Sequence, residues 1–262
     1  MNDKIFDAVK AKVQQQFGEN AKKYVESKTH SKGEDLQLLL EWAAPKESWT
    51  VLDIATGGGH VTKLLAPHVK QVFATDITVE MLKEARQFLE QYASNVHFIV
   101  ADAENLPFLD ESFDLVTCRI AAHHFPNADE FIREAYRVLK PGGKLLLVDN
   151  VAPEEKVLDE FINKLEWLRD NSHVRCYTKS EWESWMKQTG FTQRKSHVSR
   201  KRLEYQSWVQ RTASSSKQIS SVTKFMENAE KHVQEYFDFQ KEADEITAFK
   251  LDEWIVMLEK ES

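Results

Sequence analysis

The chain has 262 residues, 42% of them hydrophobic and 29% charged, with a net charge of −7. That is a globular profile of a length that suits one large domain or two small ones. The acidic balance disfavours a nucleic-acid partner, whose phosphates need a basic surface, and no apolar run approaches the roughly 18 residues of a membrane span.

Two cysteines, Cys118 and Cys176, are too few for a disulfide framework, and neither lies in a CxxC metal pattern. The N-terminal "MNDKIFDAVKAKVQQQF" is amphipathic and charged, without the apolar centre of a secretory leader. The expected location is therefore cytoplasmic.

The first half alternates strands and helices. Residues 49–55 form a short apolar run that ends in the glycines of "VLDIATGGGHV". "HVTKLLAPH" follows as a helix with Val61, Leu64 and Leu65 on one face. "KQVFAT" (70–75) is a second strand, and "VEMLKEARQFLEQY" a helix carrying Met81, Ala85, Phe88, Leu89 and Tyr92. "VHFIVA" (96–101) and "FDLVTCRI" (113–120) are the third and fourth strands. Asn127 and Glu130 read as a capping pair for a helix bearing Phe131, Ala135, Val138 and Leu139. Pro141-Gly142-Gly143 reads as a helix stop with a tight turn, and "KLLLVDN" (144–150) as the fifth strand. Apolar strands separated by helices indicate a parallel sheet covered on both faces, with ligands at the carboxyl ends of the strands.

Three of the eight glycines stand in a row where the first strand turns into the first helix. Glycine there either supplies φ > 0 for the turn or lets a ligand lie against backbone N–H groups at a helix N-terminus. The ligand is not a dinucleotide by the G-x-G-x-x-G rule: counted from Gly57 the sixth position is Thr62, and from Ala55 it is His60. Asp76, ending the second strand, can accept hydrogen bonds from two ribose hydroxyls. Ile77 can lie against an adenine face, and Asp102, ending the third strand, can accept from an exocyclic amine. Together with the glycine turn these make an adenosine-shaped set at successive strand ends.

The ordered segments "VLDIATGGGH", "VFATDIT", "VADAENLPF", "FDLVTCRIAAHHF" and "RVLKPGGKLLLVD" resemble class I S-adenosylmethionine-dependent methyltransferases. Within these, the resemblance points to the ubiquinone/menaquinone-biosynthesis C-methyltransferase branch and its small stand-alone bacterial relatives, over residues 15–200. It implies a Rossmann-like α/β fold: seven strands, mostly parallel, helices on both faces, the last strand antiparallel between the fifth and sixth. It also implies that Asp53 and the turn Ala55–Gly59, with Gly57 and Gly59, hold the methionine moiety of S-adenosyl-L-methionine. Asp76 would bind the ribose hydroxyls, Ile77 pack on adenine, and Asp102 with the Ala103 backbone read the adenine edge. Arg119 would line the cofactor's other side. Ala55 stands where the commonest pattern has its first glycine, a trait shared with the quinone-pathway enzymes. "FGENAKKYVESKTHSKGEDLQLLL" (17–40) resembles the opening segment of the same branch. Its Phe17, Tyr24, Val25 and His30 either belong to a lid over the cofactor, with Tyr24 at the methionine end, or to an ordinary amphipathic helix.

A sulfonium methyl is already activated, so the enzyme's task is alignment and exclusion of water, with a base only where the acceptor must lose a proton. His123 and His124 in "AAHHF" are the candidates, His124 ahead of His123. His173 and Arg175 form a second polar cluster that an exposed loop explains equally well. Asp149-Asn150 ends the fifth strand as in metal-dependent catechol enzymes, but Arg119 beside the site would repel a cation, so no metal is expected. The Asn/Asp-Pro-Pro-aromatic tetrad of nucleic-acid amino-methyltransferases is absent, and Cys118 lacks the proline that precedes a cytosine C5 nucleophile.

Residues 157–170 and 180–191 read as helices, the second stopped by Gly190; residues 193–205 and 248–260 read as strands, with helix between them over 208–239. The aromatics Trp182, Trp185, Phe191, Tyr205, Trp208, Phe225, Tyr236, Phe237 and Phe239 either line an apolar substrate pocket or are core. "RKR" (200–202) reads as a solvated strand end.

The resulting expectation is a single domain over 1–262: lid helices at 1–45, a cofactor-binding half at 46–150 and a substrate-side half with a helical cap at 151–262. It would act as a monomer or homodimer, methylating a small apolar or aromatic acceptor at carbon or oxygen. The alternatives are an N- or S-methyltransferase and a noncatalytic S-adenosylmethionine-binding protein.

Overall fold

The computed structural model describes residues 2–25, 33–213 and 215–261, with residues 2–6, 23–25 and 34 given by backbone alone. Helices α1 (Asn2–Val25) and α2 (Glu34–Ala43) lead into the sheet. Then come β1 (Thr50–Ile54), α3 (His60–Leu65), β2 (Gln71–Asp76), α4 (Val79–Leu89), β3 (Val96–Val100), β4 (Phe113–Arg119), α5 (Ala128–Val138) and β5 (Leu139–Val151). The second half runs α6 (Lys156–Arg169), α7 (Lys179–Thr189), β6 (Phe191–Glu204), α8 (Tyr205–Thr212), α9 (Ser216–Glu227), α10 (Lys231–Tyr236), β7 (Gln240–Glu242) and β8 (Glu245–Lys260).

The strand order is β3-β2-β1-β4-β5-β8-β6. β3 through β5 pair in parallel, and β8 lies antiparallel between β5 and β6. The strand order reverses between β1 and β4, so the connections leaving these parallel strands run to opposite sides and open a crevice at their carboxyl ends. The sheet has eight strands rather than the expected seven. β7 is a three-residue addition on β8, joined through Ala243 and Asp244 at φ 47° and 67°. A two-residue hairpin turn needs this pair of positive φ values, and no glycine announces it.

Alternate side chains on each central strand enter opposite cores. Leu52, Val116, Leu145 and Leu147 join Phe131, Ile132 and Trp182 from α5 and α7. Val51, Leu115, Leu146 and Val148 join Leu39 and Leu65 from α2 and α3. That two-sided burial explains why these strands read as continuous apolar runs. A third core holds Leu165, Trp208, Val222, Phe237 and Phe249 beneath the helices α6 and α8 to α10.

Three local expectations are corrected. Asn127 does precede α5, but its side chain makes no capping bond. Its amide and backbone N–H both donate to Glu104, at 3.0 and 2.7 Å, and Glu130 pairs with Arg133 instead. β5 begins at Leu139, so Pro141-Gly142-Gly143 is a register shift within the strand, with Gly142 at φ 75°. On α3 the buried positions are Val61, Thr62 and Leu65, with Leu64 only half-buried. Gly190 does end α7, at φ 101°.

Candidate active site

The turn after β1 answers the question its glycines raise. Gly57 and Gly59 have φ of 54° and 80°, and Ala55 has φ 51°. Alternate left-handed residues fold the chain back onto the N-terminus of α3. The two positive-φ glycines differ in surroundings. A Cβ on Gly59 would stand 2.8 Å from Leu89 Cδ1 and 3.6 Å from Ala85 Cβ, so this glycine lets α4 approach. A Cβ on Gly57 would meet only Met81 Cε, at 3.5 Å, and Ala55 O, at 3.9 Å; otherwise it would stand in open space.

That space is a cavity of about 1020 Å³, part of it open to solvent, along the carboxyl ends of β1, β2 and β4. Ala55, Gly57, Asp53, Asp76, Ile77, Asp102, Ala103, Arg119 and His124 all line it; Gly59, turned toward α4, does not. His123 lies in the neighbouring cavity described below. The side chain of Tyr24, with those of Val25 and His30, lies outside the described residues.

Asp53 is 1% exposed. Its carboxylate accepts from Thr56, Thr62 and Thr117 hydroxyls at 2.7, 2.8 and 2.7 Å, which ties the turn, α3 and β4 together. Burial pushes its pKa up, with the hydroxyls opposing. Asp76 accepts the Gly57 N–H at 3.1 Å and the Thr78 N–H at 2.8 Å. Burial raises its pKa to about 6 against those two bonds. Each of its oxygens keeps a lone pair for a further donor. Asp102 accepts from the Glu104 N–H at 3.0 Å and from Lys10 of α1 at 2.6 Å. Arg119 is held by Asp35 of α2 through both its Nε and its Nη2, both side chains nearly fully buried.

Helix α1 lies across the mouth. Lys10 bridges Asp102 and Glu104, each at 2.6 Å. Gln14 donates to the Ile77 carbonyl, Gln16 to that of Thr212, and Phe17 meets the His124 ring edge-on at 4.9 Å.

A second cavity of about 590 Å³ adjoins the first and shares Phe17, Ile120 and His124 with it. Its walls are polar: His123, Asn150, Glu166, Arg169, Asp170, Lys201 and Arg211, with Leu203 and Trp208. Ile120, at the junction, has φ 53°, a strained value for a β-branched residue. Of the second-half aromatic residues set down in the sequence as pocket or core, Trp208 lines this cavity, whereas Trp182, Phe191, Tyr205 and Phe237 are core. His173 sits 5.7 Å from the His123 ring, centroid to centroid, but is buried and bonded to Asn163, and Arg175 pairs with Asp159 and Glu181. Glu166, Arg169, Asp170, Lys201 and Arg211 carry no sequence signal: they are scattered charges on helices and an edge strand that only the fold converges. Lys201, read as part of a solvated end, turns inward to Glu253.

A family model described as a methyltransferase domain matches residues 52–147, from β1 through most of β5. The uncharacterised methyltransferase YcgJ of Bacillus subtilis is 42% identical over 196 residues, 74% of this chain and 78% of its own. The chain is a class I S-adenosylmethionine-dependent methyltransferase. A solved structure of the Bacillus halodurans protein BH2331, studied as a candidate methyltransferase, superposes with a TM-score of 0.85 at 41% identity, covering 88% of this chain and all of that one. The ubiquinone/menaquinone biosynthesis C-methyltransferase UbiE of Brucella anthropi is 37% identical over 133 residues, 48% of this chain and 51% of its own.

The first cavity suits the cofactor of this methyltransferase family. Its glycine wall leaves room where a Cβ would intrude, and Asp76 and Asp102, at successive strand ends, present acceptor oxygens to a ligand that carries donors.

Proposed function

We propose that this methyltransferase holds S-adenosylmethionine in the first cavity and methylates a small molecule held in the second. The observation that carries the reading is the shared wall of Phe17, Ile120 and His124, which sets an acceptor cavity directly beside the cofactor cavity. Bound there, the cofactor supplies a methyl group on a sulfonium.

Asp76 takes the ribose hydroxyls and Ile77 covers the adenine. Asp102 and the Ala103 backbone read its edge, and the Ala55–Gly59 turn, braced by Asp53, holds the methionine end. Arg119, neutralised by Asp35, closes the far wall. Helix α1 is the lid over the site, with residues 46–150 as the cofactor half and 151–262 as the acceptor half of one domain. Trp208 and Phe17 give the acceptor cavity aromatic faces, which favours a ring-bearing molecule, and its charged walls favour one with polar substituents. Methylation at oxygen or carbon fits a site that carries two histidines.

No described helix is long and apolar enough to cross a membrane, and the reading is of a cytoplasmic enzyme, monomeric or homodimeric. The test is transfer of a labelled methyl from S-adenosylmethionine to a panel of phenols, enols, amines and thiols, followed by mass spectrometry. Label in a phenol or enol product is expected. Binding of S-adenosylhomocysteine without transfer to any acceptor would make the protein a noncatalytic binder.

A further inference from the structure

His123 and His124 are adjacent in sequence but held by different partners. His123 Nδ1 is 2.6 Å from Asp149 Oδ1, and a carboxylate can only accept, so Nδ1 carries the hydrogen. Asp149 is itself fixed: its other oxygen accepts the His123 backbone N–H at 3.0 Å, and Oδ1 also accepts the Asn150 N–H at 2.8 Å. The Nε2 lone pair of His123 has no hydrogen-bond partner among the described residues, and the ring lines the second cavity. His124 Nδ1 instead faces the Ser172 carbonyl at 3.0 Å, and its ring forms part of the wall between the cavities.

We propose that His123 is the base that takes the acceptor's proton, that Asp149 is its positioning residue, and that the acceptor is a phenol or enol hydroxyl. This rests on the methyltransferase reading above and reverses the sequence preference for His124. The acceptor oxygen's lone pair forms the new O–C bond. The carbon–sulfur bond breaks with its electrons left on sulfur, and the O–H proton passes to His123 Nε2. The resulting imidazolium is stabilised by the Asp149 carboxylate.

The chemistry of the dyad selects the hydroxyl. A thiol ionises near pH 8.5 without help, and an aromatic amine is already neutral near pH 7 with its lone pair free. A phenol, with a pKa near 10, is the acceptor for which a positioned base matters.

The groups around the ring agree. Burial disfavours its charged form, but Asp149 on β5 outweighs this and Glu166 on α6 adds to it, so its pKa is raised despite the opposing Arg169. For His124, burial and the neighbouring His123 act together and push its pKa down to about 4, with Asp170 and the Ser172 carbonyl opposing. Buried His173, beyond α6, is held well below the ordinary value, by burial first and then by the two histidines and Arg169 and Arg175. Lys201, paired with Glu253, and Arg211 also line the cavity.

The test has two arms. In the first, nitrogen NMR of the wild-type protein should show His123 titrating at higher pH than His124, and Asp149→Asn should move the His123 midpoint down. A His124 midpoint above that of His123, or an unmoved midpoint in the variant, overturns the assignment without reference to any acceptor.

In the second arm, the wild type is assayed with a panel of phenols and enols and the matching thiophenols. His123→Gln should lose about 10²–10⁴-fold in kcat toward the hydroxyl acceptor while keeping most of its rate toward the thiophenol. Calorimetric binding of S-adenosylhomocysteine should be unchanged, which also reports that the variant is folded. Asp149→Asn should lower the plateau and carry the acidic limb of the pH profile to lower pH. Equal losses toward both acceptors, full activity in His123→Gln, or a wild type that methylates no hydroxyl on the panel would each overturn the proposal. Loss of S-adenosylhomocysteine binding by the wild type would instead remove the methyltransferase reading itself.

Discussion

Gly57 and Gly59 are two residues apart, and alanine at each should fail differently. At Gly59, φ is 80° and a Cβ would meet Leu89 Cδ1 at 2.8 Å, Leu89 Cγ at 3.2 Å and Ala85 Cβ at 3.6 Å. Leu89 is 1% exposed, so it has no room to retreat. Left-handed strain costs about 1–2 kcal/mol, and overpacking a filled site about 1–3 kcal/mol more. A loss of about 2–5 kcal/mol would lower the melting temperature by roughly 4–20 °C at the rate of about 2–4 °C per kcal/mol for chains of this size. At Gly57 only the strain applies, and Ala55 already holds an alanine at φ 51° in the same turn. Gly57→Ala should therefore cost about 1–2 kcal/mol of stability, but its methyl would stand in the cofactor cavity. Melting curves with and without S-adenosylhomocysteine separate the effects, because ligand stabilisation follows RT ln(1 + [L]/Kd). Gly59→Ala should melt early yet keep most of its ligand shift, whereas Gly57→Ala should melt roughly 2–8 °C below wild type and lose most of that shift. A Gly57→Ala protein that melts as early as Gly59→Ala but keeps its full shift would refute this division of roles.

The free-state pKa of Asp76 near 6 gives a pH dependence of its own. If the ribose hydroxyls bond the ionised carboxylate as proposed, S-adenosylhomocysteine affinity should fall about tenfold for each pH unit below 6 and level off above it; calorimetry in buffers of different ionisation enthalpy should show proton release near pH 5.5. For the free protein the sign is the reverse. A carboxyl whose folded pKa is raised favours folding below its unfolded pKa near 4, and that contribution disappears as pH rises through 6. Asp35→Asn removes the carboxylate that holds the buried Arg119 guanidinium through its Nε and Nη2. Breaking this buried pair should destabilise the fold by up to about 3–5 kcal/mol, read by chemical denaturation, and by less to the extent that Asp53 and Glu253 still offset the charge. Cys118 and Cys176 are both buried, with burial pushing their thiols well up. Neither should react with a thiol reagent in the native protein, and both should react on unfolding.

How much of this was legible in the sequence depends on the range of the interactions involved. Strands buried on both faces betray themselves as apolar runs, so β1 to β5 and their order of helices could be read directly. The carboxylates at strand ends follow from that reading, because topology alone puts Asp76 and Asp102 at one edge of the sheet. The β7–β8 hairpin escaped because Ala243 and Asp244 hold the positive φ values that glycine or asparagine usually marks. The Asn127 cap failed because a tertiary partner, Glu104, competed for its amide. The second cavity was the least visible part. Its charges come from α6, α8 and β6, far apart in the chain, and the aromatic residues that suggested an apolar pocket are mostly spent in the core. The proposed choice of His123 over His124 turns on Asp149, 26 residues away, which in the sequence reads only as part of a metal pair that Arg119 argues against.

The account rests most heavily on the first cavity being the S-adenosylmethionine site, with Asp76 at its ribose end. Isothermal calorimetry of S-adenosylhomocysteine with the wild type and with Asp76→Ala tests this directly. The expected result is one site per chain in the wild type, weakened about 10- to 100-fold in the variant. That corresponds to the loss of hydrogen bonds to a charged group worth about 1.5–3 kcal/mol. Equal affinity in the two proteins would contradict the placement of the ribose, and no binding by the wild type would contradict the site.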